Sequence, residues 1–394
     1  MREIPPTAGL PLQWRDFIPG RPTLEQGMAA FIGVPEVQIE CSGTAALVVA
    51  LTALKQDSTR TSVVIPAYTC PLVAIAVVHC GLKPVLCDLK PGHFDLDPEA
   101  LEKACTEDTL AVIPTHLGGR VADLDPVLAI AHRVAAYVIE DAAQALGAQW
   151  HGQSVGLAGD IGFFSLAVGK GLTIFEGGVL VAKDAAMRAR LRAVSEHIIP
   201  SSIYWETRRL AELAGYTALY NPTCLHYAYG NPLRRDISEG RLVEAVGDDF
   251  DFDIPLHRIG RYRKGIGAKA LTRLPAFLHQ LNAQSSRKEL FTLPVMEDVP
   301  NAHGTWPYFM VLMPTAEARD EALRQLWSAG LGVTRLFIHA LPDYGYLKHL
   351  FPNADVPNAR DFAARMLTVS NSVWMNEEEM KQVRDILEEI GKRR

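Results

Sequence analysis

Short apolar runs alternate with stretches of helical periodicity between residues 36 and 185. Apolar runs bounded by turn-forming residues predict buried strands, and apolar residues at helical spacing predict helices. Strands that are apolar on both faces and alternate with helices indicate an α/β fold with a mostly parallel sheet, covered on both sides. The predicted strands are TSVVIPA (61–67), PVLCDL (84–89), LAVIPTH (110–116) and AAYVIED (135–141), and the predicted helices are GTAALVVALTALK (43–55), PLVAIAVVHCG (71–81), DPEALEKAC (97–105) and DPVLAIAHRV (125–134).

The second half of the chain has a different pattern. Residues 185–235 are helical and rich in arginine and aromatic side chains, residues 236–253 are acidic and turn-like, and residues 258–290 predict a long helix. Strand-like and amphipathic runs then alternate to the end of the chain, which is an α+β pattern.

The length of 394 residues also favours two domains, because a single core rarely grows beyond about 250–300 residues. We predict a large α/β domain over residues 1–245, with a helical, aromatic-rich insertion near 190–245. A smaller α+β domain is predicted over residues 246–394.

The composition mainly argues against particular classes of function. The chain has 48% hydrophobic and 21% charged residues and a net charge of −6, so no overall attraction to nucleic acid or to an anionic membrane is expected. The six cysteines form no C-x-x-C pair and have no zinc-ligand spacing, and no metal site is predicted. The N-terminus lacks the apolar core of a signal peptide, and no apolar run is long enough to span a bilayer. We therefore expect a cytoplasmic protein with reduced cysteines.

Polar residues with chemical potential stand at the predicted strand ends, where ligands bind to doubly wound sheets. Ser42, Gly43 and Thr44 open a predicted helix, whose free N–H groups favour a phosphate, although a plain helix cap is the commoner reason for such residues. Glu140, Asp141 and Gln144 follow the strand AAYVIED, and Ser165 and Lys170 follow in FFSLAVGKGL. Each residue alone also fits an ordinary surface or capping role.

Together these residues make up the groups that pyridoxal phosphate needs. A lysine amine forms a Schiff base with an aldehyde if its surroundings hold it neutral, and apolar, partly buried surroundings do so. The cofactor also needs a carboxylate for its ring nitrogen and an anion site for its phosphate. The sequence contains no P-loop, dinucleotide-binding, zincin or nucleophile-elbow motif that would indicate other chemistry.

The sequence resembles the DegT/DnrJ/EryC1/StrS family of fold-type-I pyridoxal-phosphate enzymes, most of which aminate keto sugars on nucleotide carriers. The resemblance is nearly continuous over residues 36–185 and weaker over residues 258–290 and in GLGVTRLFIHALPDY (330–344), which resembles the family's segment at the substrate entrance. The matching stretches are CSGTAALVVALTAL (41–54), VVIPAYTCPLVAIAVVHCGLKPVLCDL (63–89), THLGGRVADLDPVLAIAHR (115–133), YVIEDAAQALGAQWHGQSVGLAGDIGFFSL (137–166) and GKGLTIFEGGVLV (169–181).

The resemblance implies a role for each matching residue. Lys170 is similar to the lysine that binds the cofactor and moves the proton during transamination, and Asp141 to the partner of the pyridine nitrogen. Gln144 is similar to the neighbour of the ring hydroxyl, while Ser165 and the amides of Gly43 and Thr44 are similar to the phosphate site. Family members are dimers with shared active sites, so a homodimer is implied.

Three departures from the family pattern leave alternatives open. Where the family has an aromatic residue stacking on the cofactor ring, this chain has Cys70, so either Cys70 packs there or Tyr68 replaces it. The segment that carries an inter-subunit asparagine in the family aligns with IPLHRI (254–259), which places Leu256 at the asparagine and keeps Arg258. The inter-subunit phosphate contact is then either lost or supplied by another group such as His257 or Arg258. Residues 190–253 are longer than the usual connection and form either a lid or extra helical packing.

The expected function is a pyridoxal-phosphate aminotransferase that moves an amino group from a donor such as glutamate to a keto sugar on a nucleotide carrier. Tyr68, Arg258 and His339 are the candidate substrate contacts. One alternative is a non-catalytic or regulatory protein with the same fold. Another is a sugar dehydratase, which is less favoured because such members replace the lysine with histidine.

Overall fold

The structure is a computed structural model that describes residues 2–18 and 20–392 of the chain. Its strands are β1 (Gln38–Glu40), β2 (Ser62–Pro66), β3 (Lys83–Cys87), β4 (Thr109–Val112), β5 (Tyr137–Asp141), β6 (Gln149–Trp150), β7 (Gln153–Ser154), β8 (Ile161–Ser165), β9 (Gly178–Val181), β10 (Ala302–His303), β11 (Tyr308–Leu312), β12 (Val333–Thr334) and β13 (Met366–Ser370).

Helices occupy a further large part of the described chain. They are α1 (Leu24–Ile32), α2 (Gly43–Lys55), α3 (Pro71–His79), α4 (Pro98–Ala104), α5 (Asp125–Arg133), α6 (Ala185–Ile198), α7 (Ile203–Leu219), α8 (Pro222–Leu225), α9 (Asn231–Ser238), α10 (Leu242–Val246), α11 (Arg261–Leu271), α12 (Leu274–Gln284), α13 (Ala316–Leu326), α14 (Pro357–Arg365) and α15 (Glu377–Lys392). No described helix is both long enough and apolar enough to cross a bilayer.

The main sheet has seven strands in the order β1-β9-β8-β5-β4-β2-β3. The five strands from β8 to β3 run parallel, whereas β9 pairs antiparallel with β8 and with β1. This confirms the predicted mostly parallel sheet. The carboxyl ends of β2, β4, β5 and β8 therefore meet along one edge, which is where the predicted polar residues lie.

Both faces of this sheet are buried, as the sequence pattern predicted. Val63 and Ile65 of β2 pack into one hydrophobic core, and Val64 between them packs into a second core on the other face. Helix α2 has the predicted bounds, and the Ser42 hydroxyl caps it by accepting a hydrogen bond from the Ala45 amide at 2.9 Å. The two-sided burial explains why the strands are apolar throughout.

The predicted long helix over residues 258–290 is wrong in one respect, because the structure divides it into α11 and α12. The break precedes Pro275, which lacks the N–H group that a continuous helix would use. Leu271 and Leu274 of these helices are buried in the core that also contains Val63 and Ile65 of β2. That core therefore includes part of the chain that the sequence pattern placed in the second domain.

A third core lies under a smaller antiparallel sheet of order β11-β13-β12. Helices α13 and α15 supply its other side, with Leu323 and Leu387 among the buried residues. The α+β pattern predicted for the end of the chain corresponds to this unit. Ile4 from the N-terminus packs into the same core, so the two ends of the chain meet there.

The segment between the two units is helical, as predicted, from α6 to α10. Its acidic part is more regular than the sequence suggested, since α9 reaches Ser238 and α10 covers Leu242–Val246 before an extended stretch begins. Asp248 connects that stretch to residues 338–344, because its buried carboxylate accepts hydrogen bonds from the Ile338 amide at 2.8 Å and the Tyr344 hydroxyl at 2.5 Å. Burial raises the pKa of Asp248 to about 6.

Candidate active site

A cavity of about 420 Å³ lies where the carboxyl ends of the parallel strands meet. Thr69 and Cys70 reach it from the end of β2, Asp141 from the end of β5 and Ser165 from the end of β8, and Lys170 lines it as well. Its volume is within the range of about 300–1,000 Å³ that is typical of ligand pockets. The structure thus brings together residues that are far apart in the sequence.

The N-terminus of α2 forms one wall of this cavity. Gly43 and Thr44 line it, and the first N–H groups of a helix have no acceptor within that helix. A Cβ atom at Gly43 would lie only 3.3 Å from the Cβ of Ser165, so glycine lets this backbone approach the strand closely. Free amides, the positive end of the helix dipole and the Ser165 hydroxyl together form a cradle for a phosphate.

Asp141 is the buried carboxylate of the cavity, with 3% of its surface exposed. One of its oxygens accepts a hydrogen bond from the Ala143 amide at 3.0 Å. Burial raises the pKa of Asp141 to about 6, and the Ala143 amide and the charge of Lys170 oppose that rise. A carboxylate held in this way interacts strongly with a cationic N–H group placed beside it.

Glu140, the neighbour of Asp141 in β5, has a structural role. Its carboxylate accepts hydrogen bonds from the amides of Gly156, Ala158 and Gly159 at 2.6–2.7 Å and from His116 Nε2 at 3.0 Å. Successive strand residues point to opposite faces, so these contacts fix the backbone that presents Asp141. Burial alone would raise the pKa of Glu140, but the hydrogen bond and charge of His116 and the amides together lower it.

The glycine turn around Lys170 is held from outside by the N-terminal segment. The Thr7 hydroxyl donates to the Gly169 carbonyl, and the Leu10 amide donates to the Gly171 carbonyl, both at 3.0 Å. Gly169 has a φ of +79°, which favours glycine. The backbone on both sides of Lys170 is thereby fixed, and no sequence pattern in residues 7–10 predicts this role.

The Lys170 side chain is left available for chemistry. Its Nζ makes no hydrogen bond or ion pair with any part of the chain that the structure describes. Burial lowers the pKa of Lys170, and the nearby Cys70 and Asp141 oppose that shift. Because a neutral amine is the nucleophile that condenses with an aldehyde, the cavity favours the reactive form.

Cys70 lies at this cavity, whereas Tyr68 does not. Tyr68 is buried in the second core, where its hydroxyl donates to the Phe337 carbonyl and accepts from the Phe337 amide, both at 3.2 Å. Of the two residues considered for the place beside the ring, Cys70 is the one that lines this cavity. Burial raises the pKa of the Cys70 thiol to about 12, so it stays protonated and acts as a soft apolar contact.

Gln144 also lines the cavity, and its amide is oriented. Its Oε1 accepts from the Gly118 amide at 2.8 Å and from the Tyr308 hydroxyl at 2.7 Å. The Nε2 hydrogens are left to donate to a ligand oxygen. Sequence reasoning missed Tyr308, as well as the pair Thr69 and Thr115, whose hydroxyls hydrogen-bond at 3.1 Å on the cavity wall.

The structure places the other two candidate substrate contacts outside the cavities around Lys170. The Arg258 guanidinium donates to the carbonyls of Ile199 and Glu196, both at 3.0 Å, and the residue is otherwise exposed. The ring of His339 packs edge-on against Tyr344 with 5.3 Å between the centroids. Leu256 is half-buried against the first core.

The arginine that does support the site from this part of the chain is Arg263. It is fully buried, and it donates to the carbonyls of Ile174 and Glu176 and to the carboxylate of Glu206. Ile174 and Glu176 follow the Lys170 turn, and Glu176 lines the cavity. The only sequence signal for this residue was the basic run RIGRYRKGIGAK (258–269), which is more typical of a solvated face.

These residues fit pyridoxal phosphate as a group. The glycine-lined helix start would hold the phosphate, Asp141 the ring nitrogen, Gln144 Nε2 the ring hydroxyl, and Lys170 Nζ the aldehyde carbon. When it is bound, the cofactor supplies a reactive aldehyde and an electron-withdrawing ring. The unpaired Lys170 amine and the free N–H groups of α2 are the observations that carry this fit.

Comparison with known proteins agrees with this geometry. The sequence model of the DegT/DnrJ/EryC1/StrS aminotransferase family matches residues 13–218 and 263–388, so the second match begins at Arg263. GDP-perosamine synthase of Caulobacter vibrioides is 37% identical over 182 residues, which are 46% of this chain and 49% of that protein. L-glutamine:2-deoxy-scyllo-inosose aminotransferase of Streptomyces lividus is 37% identical over 166 residues, which are 42% of this chain and 39% of that protein.

The fold also has solved counterparts. Spr1654 of Streptococcus pneumoniae, solved in its PLP form, superimposes with a TM-score of 0.73 at 20% identity, covering 98% of this chain and 99% of that one. The chain spans about half or less of the length of the two curated relatives, but the family match covers most of it. The protein belongs to the DegT/DnrJ/EryC1/StrS aminotransferase family.

Proposed function

We propose that this protein is a pyridoxal-phosphate-dependent aminotransferase that transfers an amino group from an amino acid such as glutamate to a keto sugar. The observation that carries the proposal is the unpaired Lys170 amine, which shares one cavity with the buried Asp141 carboxylate and the α2 phosphate cradle. The matched relatives are named for products and acceptors of the carbohydrate type.

In this function each residue has a defined task. Lys170 Nζ would hold the cofactor through its aldehyde carbon, and as a free amine it would accept and donate the proton that moves during amino transfer. Asp141 keeps the ring nitrogen protonated. Gly43, Thr44 and Ser165 hold the phosphate, Gln144 donates to the ring hydroxyl, and Cys70 contacts the ring.

The proposal also covers the type of acceptor, the cellular location and the oligomeric state. The acceptor is a keto sugar on a nucleotide carrier, the enzyme is a cytoplasmic homodimer, and its active sites are shared between the subunits. GDP-perosamine synthase, one of the matched relatives, is named for a nucleotide-linked product. The other relative is named for 2-deoxy-scyllo-inosose, and these two acceptor types are the first to compare in turnover assays.

The proposal is tested by trapping the cofactor on the chain. Borohydride reduction of the loaded protein, followed by peptide mapping, should place the label on Lys170 and nowhere else. Lys170→Ala should lose the label and all amino transfer. Lys183→Ala is the matched control, because Lys183 is an exposed lysine outside the cavity, and it should keep both.

The visible absorbance of the bound cofactor supplies the second measurement. It should fall when L-glutamate or L-glutamine is added to the wild-type protein, because the amino group passes to the cofactor. A protein that binds the cofactor at Lys170 but responds to no amino acid would instead be a non-catalytic member of the family. Label on another lysine would refute the site itself.

A further inference from the structure

A second cavity, of about 390 Å³, adjoins the cofactor cavity, and Lys170 and Gln144 line both. The N-terminal segment, residues 228–247 and the small sheet supply its other walls. Residues 228–247 belong to a stretch, residues 219–262, that the family model does not match. This cavity therefore combines the reactive lysine with a wall from outside the family pattern.

The wall from residues 228–247 begins in a π-helical turn, His226–Gly230. The Asn231 amide closes this turn by donating to the carbonyl of His226, five residues before it. Pro232 follows and has no N–H group to donate, so ordinary α-helical bonding is interrupted at this point. Turns of this kind are frequent at functional sites. Tyr229, within the turn, lines the cavity.

The turn is anchored to the N-terminal segment by a buried carboxylate. Glu3 is 2% exposed, its Oε2 accepts from Arg234 Nη2 at 2.6 Å, and its amide donates to the Pro222 carbonyl at 2.9 Å. A Cβ atom at Gly230 would lie 2.1 Å from that Oε2, so glycine allows this close approach. The backbone around Tyr229 is therefore fixed by contacts on both sides of it.

The two parts of the Tyr229 side chain have different surroundings. Its ring is partly buried against the third core. Its hydroxyl makes no hydrogen bond with any residue that the structure describes, although tyrosine hydroxyls in largely buried positions usually have a partner. Burial raises the pKa of Tyr229, and the charge of Glu3 contributes, so the hydroxyl stays protonated at neutral pH. It can both donate to a ligand and accept from one.

The rest of the cavity suits a ring that carries several hydroxyl groups. Thr305 and Thr334 add two more neutral hydroxyls, and Leu233 adds apolar surface. Among the described residues, the insertion contributes Asp236 and Glu244 to the walls but no lysine or arginine, and carboxylates repel a phosphate group. Hydroxyls that donate and accept, together with apolar surface, match the hydroxyl and C–H groups of a carbohydrate ring.

We propose that the Tyr229 hydroxyl binds a ring hydroxyl of the carbohydrate acceptor in the second cavity, with the acceptor's carbonyl group towards the cofactor cavity. This inference rests on the proposed aminotransferase function and names a specificity-determining residue for its acceptor. Because Tyr229 lies outside the segments that the family model matches, the contact is not part of the family pattern. The amino donor has no ring hydroxyl and gains nothing from Tyr229.

Tyr229→Phe removes the hydroxyl and keeps the ring, so it isolates the proposed hydrogen bond. The probes are 2-deoxy-scyllo-inosose and GDP-mannose, which represent the cyclitol and GDP-linked types for which the two relatives are named. Neither probe carries an amino group, so the holoenzyme binds it without amino transfer. For the probe that binds the wild-type holoenzyme more tightly in calorimetry, we expect the dissociation constant to rise about 3- to 10-fold in Tyr229→Phe, since one hydrogen bond between neutral groups is lost. The reaction of the cofactor with L-glutamate should be unchanged.

Tyr227→Phe is the matched control. Tyr227 belongs to the same π-helical turn, but it is 67% exposed and does not line the cavity. This variant should leave both carbohydrate binding and the L-glutamate reaction unchanged. Tyr229→Phe should also melt at the wild-type temperature, because the hydroxyl that it removes has no hydrogen-bond partner in the described part of the chain.

Three results would each overturn the inference. They are unchanged carbohydrate affinity in Tyr229→Phe, an equal loss of affinity in Tyr227→Phe, and no binding of either carbohydrate by the wild-type holoenzyme. The last measurement needs no variant, so the inference can fail even if Tyr229→Phe does not fold. If no amino acid changes the cofactor's absorbance at all, the proposed function fails, which is a separate result.

Discussion

Replacing Glu140 by glutamine should destabilise the protein strongly although it removes only one charge. Both carboxylate oxygens are in use, one by the amides of Ala158 and Gly159 and the other by the Gly156 amide and His116 Nε2. Glutamine has a single acceptor oxygen, so whichever position its NH₂ group takes, two buried donors lose their partner. At about 1.5–3 kcal/mol for each hydrogen bond to a charged group, the loss is about 3–6 kcal/mol.

Rotation of the histidine ring does not relieve the conflict. His116 Nδ1 accepts from the Ala122 amide at 3.1 Å, which leaves Nε2 as the donor towards residue 140. The free energy of unfolding is measured by urea titration of the apo protein at pH 7. Glu102→Gln is the control, because Glu102 and its partner Arg133 are both more than half exposed and such a surface pair contributes at most about 1 kcal/mol.

The pH dependence gives the same reasoning a second check. The folded state lowers the pKa of Glu140 below its ordinary value of 4.5, so its contribution is present above that pH and is lost as the pH falls through the folded-state pKa. The difference between wild type and Glu140→Gln should therefore shrink below about pH 4.5. A difference under 1 kcal/mol at pH 7, or one that grows on acidification, would refute the argument.

Two further predictions concern the cavity itself. Asp141→Asn should retain the cofactor on Lys170 but slow the cofactor's reaction with L-glutamate by about 100-fold or more, because the ring nitrogen loses its charged partner. The rate is measured by stopped-flow absorbance. An unchanged rate would mean that another group holds this nitrogen. Cys70 should resist iodoacetamide at pH 8 in the native apo protein and react after denaturation, because burial raises the pKa of its thiol to about 12. Labelling is located by peptide mapping. Rapid labelling of Cys70 in the native state would contradict this prediction.

The parallel sheet and its flanking helices were predictable from the sequence because their signals are local. Each strand of the parallel sheet is a short apolar run, and the strand-end rule then brings Asp141, Ser165 and Lys170 to one edge without any knowledge of long-range contacts. The bounds of α2 follow from Ser42 as its cap and from the apolar residues behind it. The division of the predicted long helix also has a local signal in Pro275, which cannot donate the hydrogen bond of a continuous helix.

The missed features depend on contacts between distant parts of the chain. Thr7 and Leu10 hold the Lys170 turn through backbone groups, and neither residue has a type or spacing that indicates such a role. Arg263 was hidden because a buried arginine and a surface arginine look alike in a sequence. Tyr68 was a plausible ring contact by its type, but its hydroxyl is satisfied by Phe337 in the core.

The residues suited to cofactor chemistry and part of the walls of the cavities around Lys170 come from different parts of the chain. Lys170, Asp141 and the α2 cradle lie within the stretch that the family model matches, whereas residues 219–262 lie outside both matches. That unmatched segment lines both cavities, with Phe250 and Ile254 at the cofactor and Tyr229 and Leu233 in the second cavity. This segment therefore contributes to the walls of both cavities that contain Lys170, and its carboxylates Asp251 and Asp253 line the cofactor cavity as well.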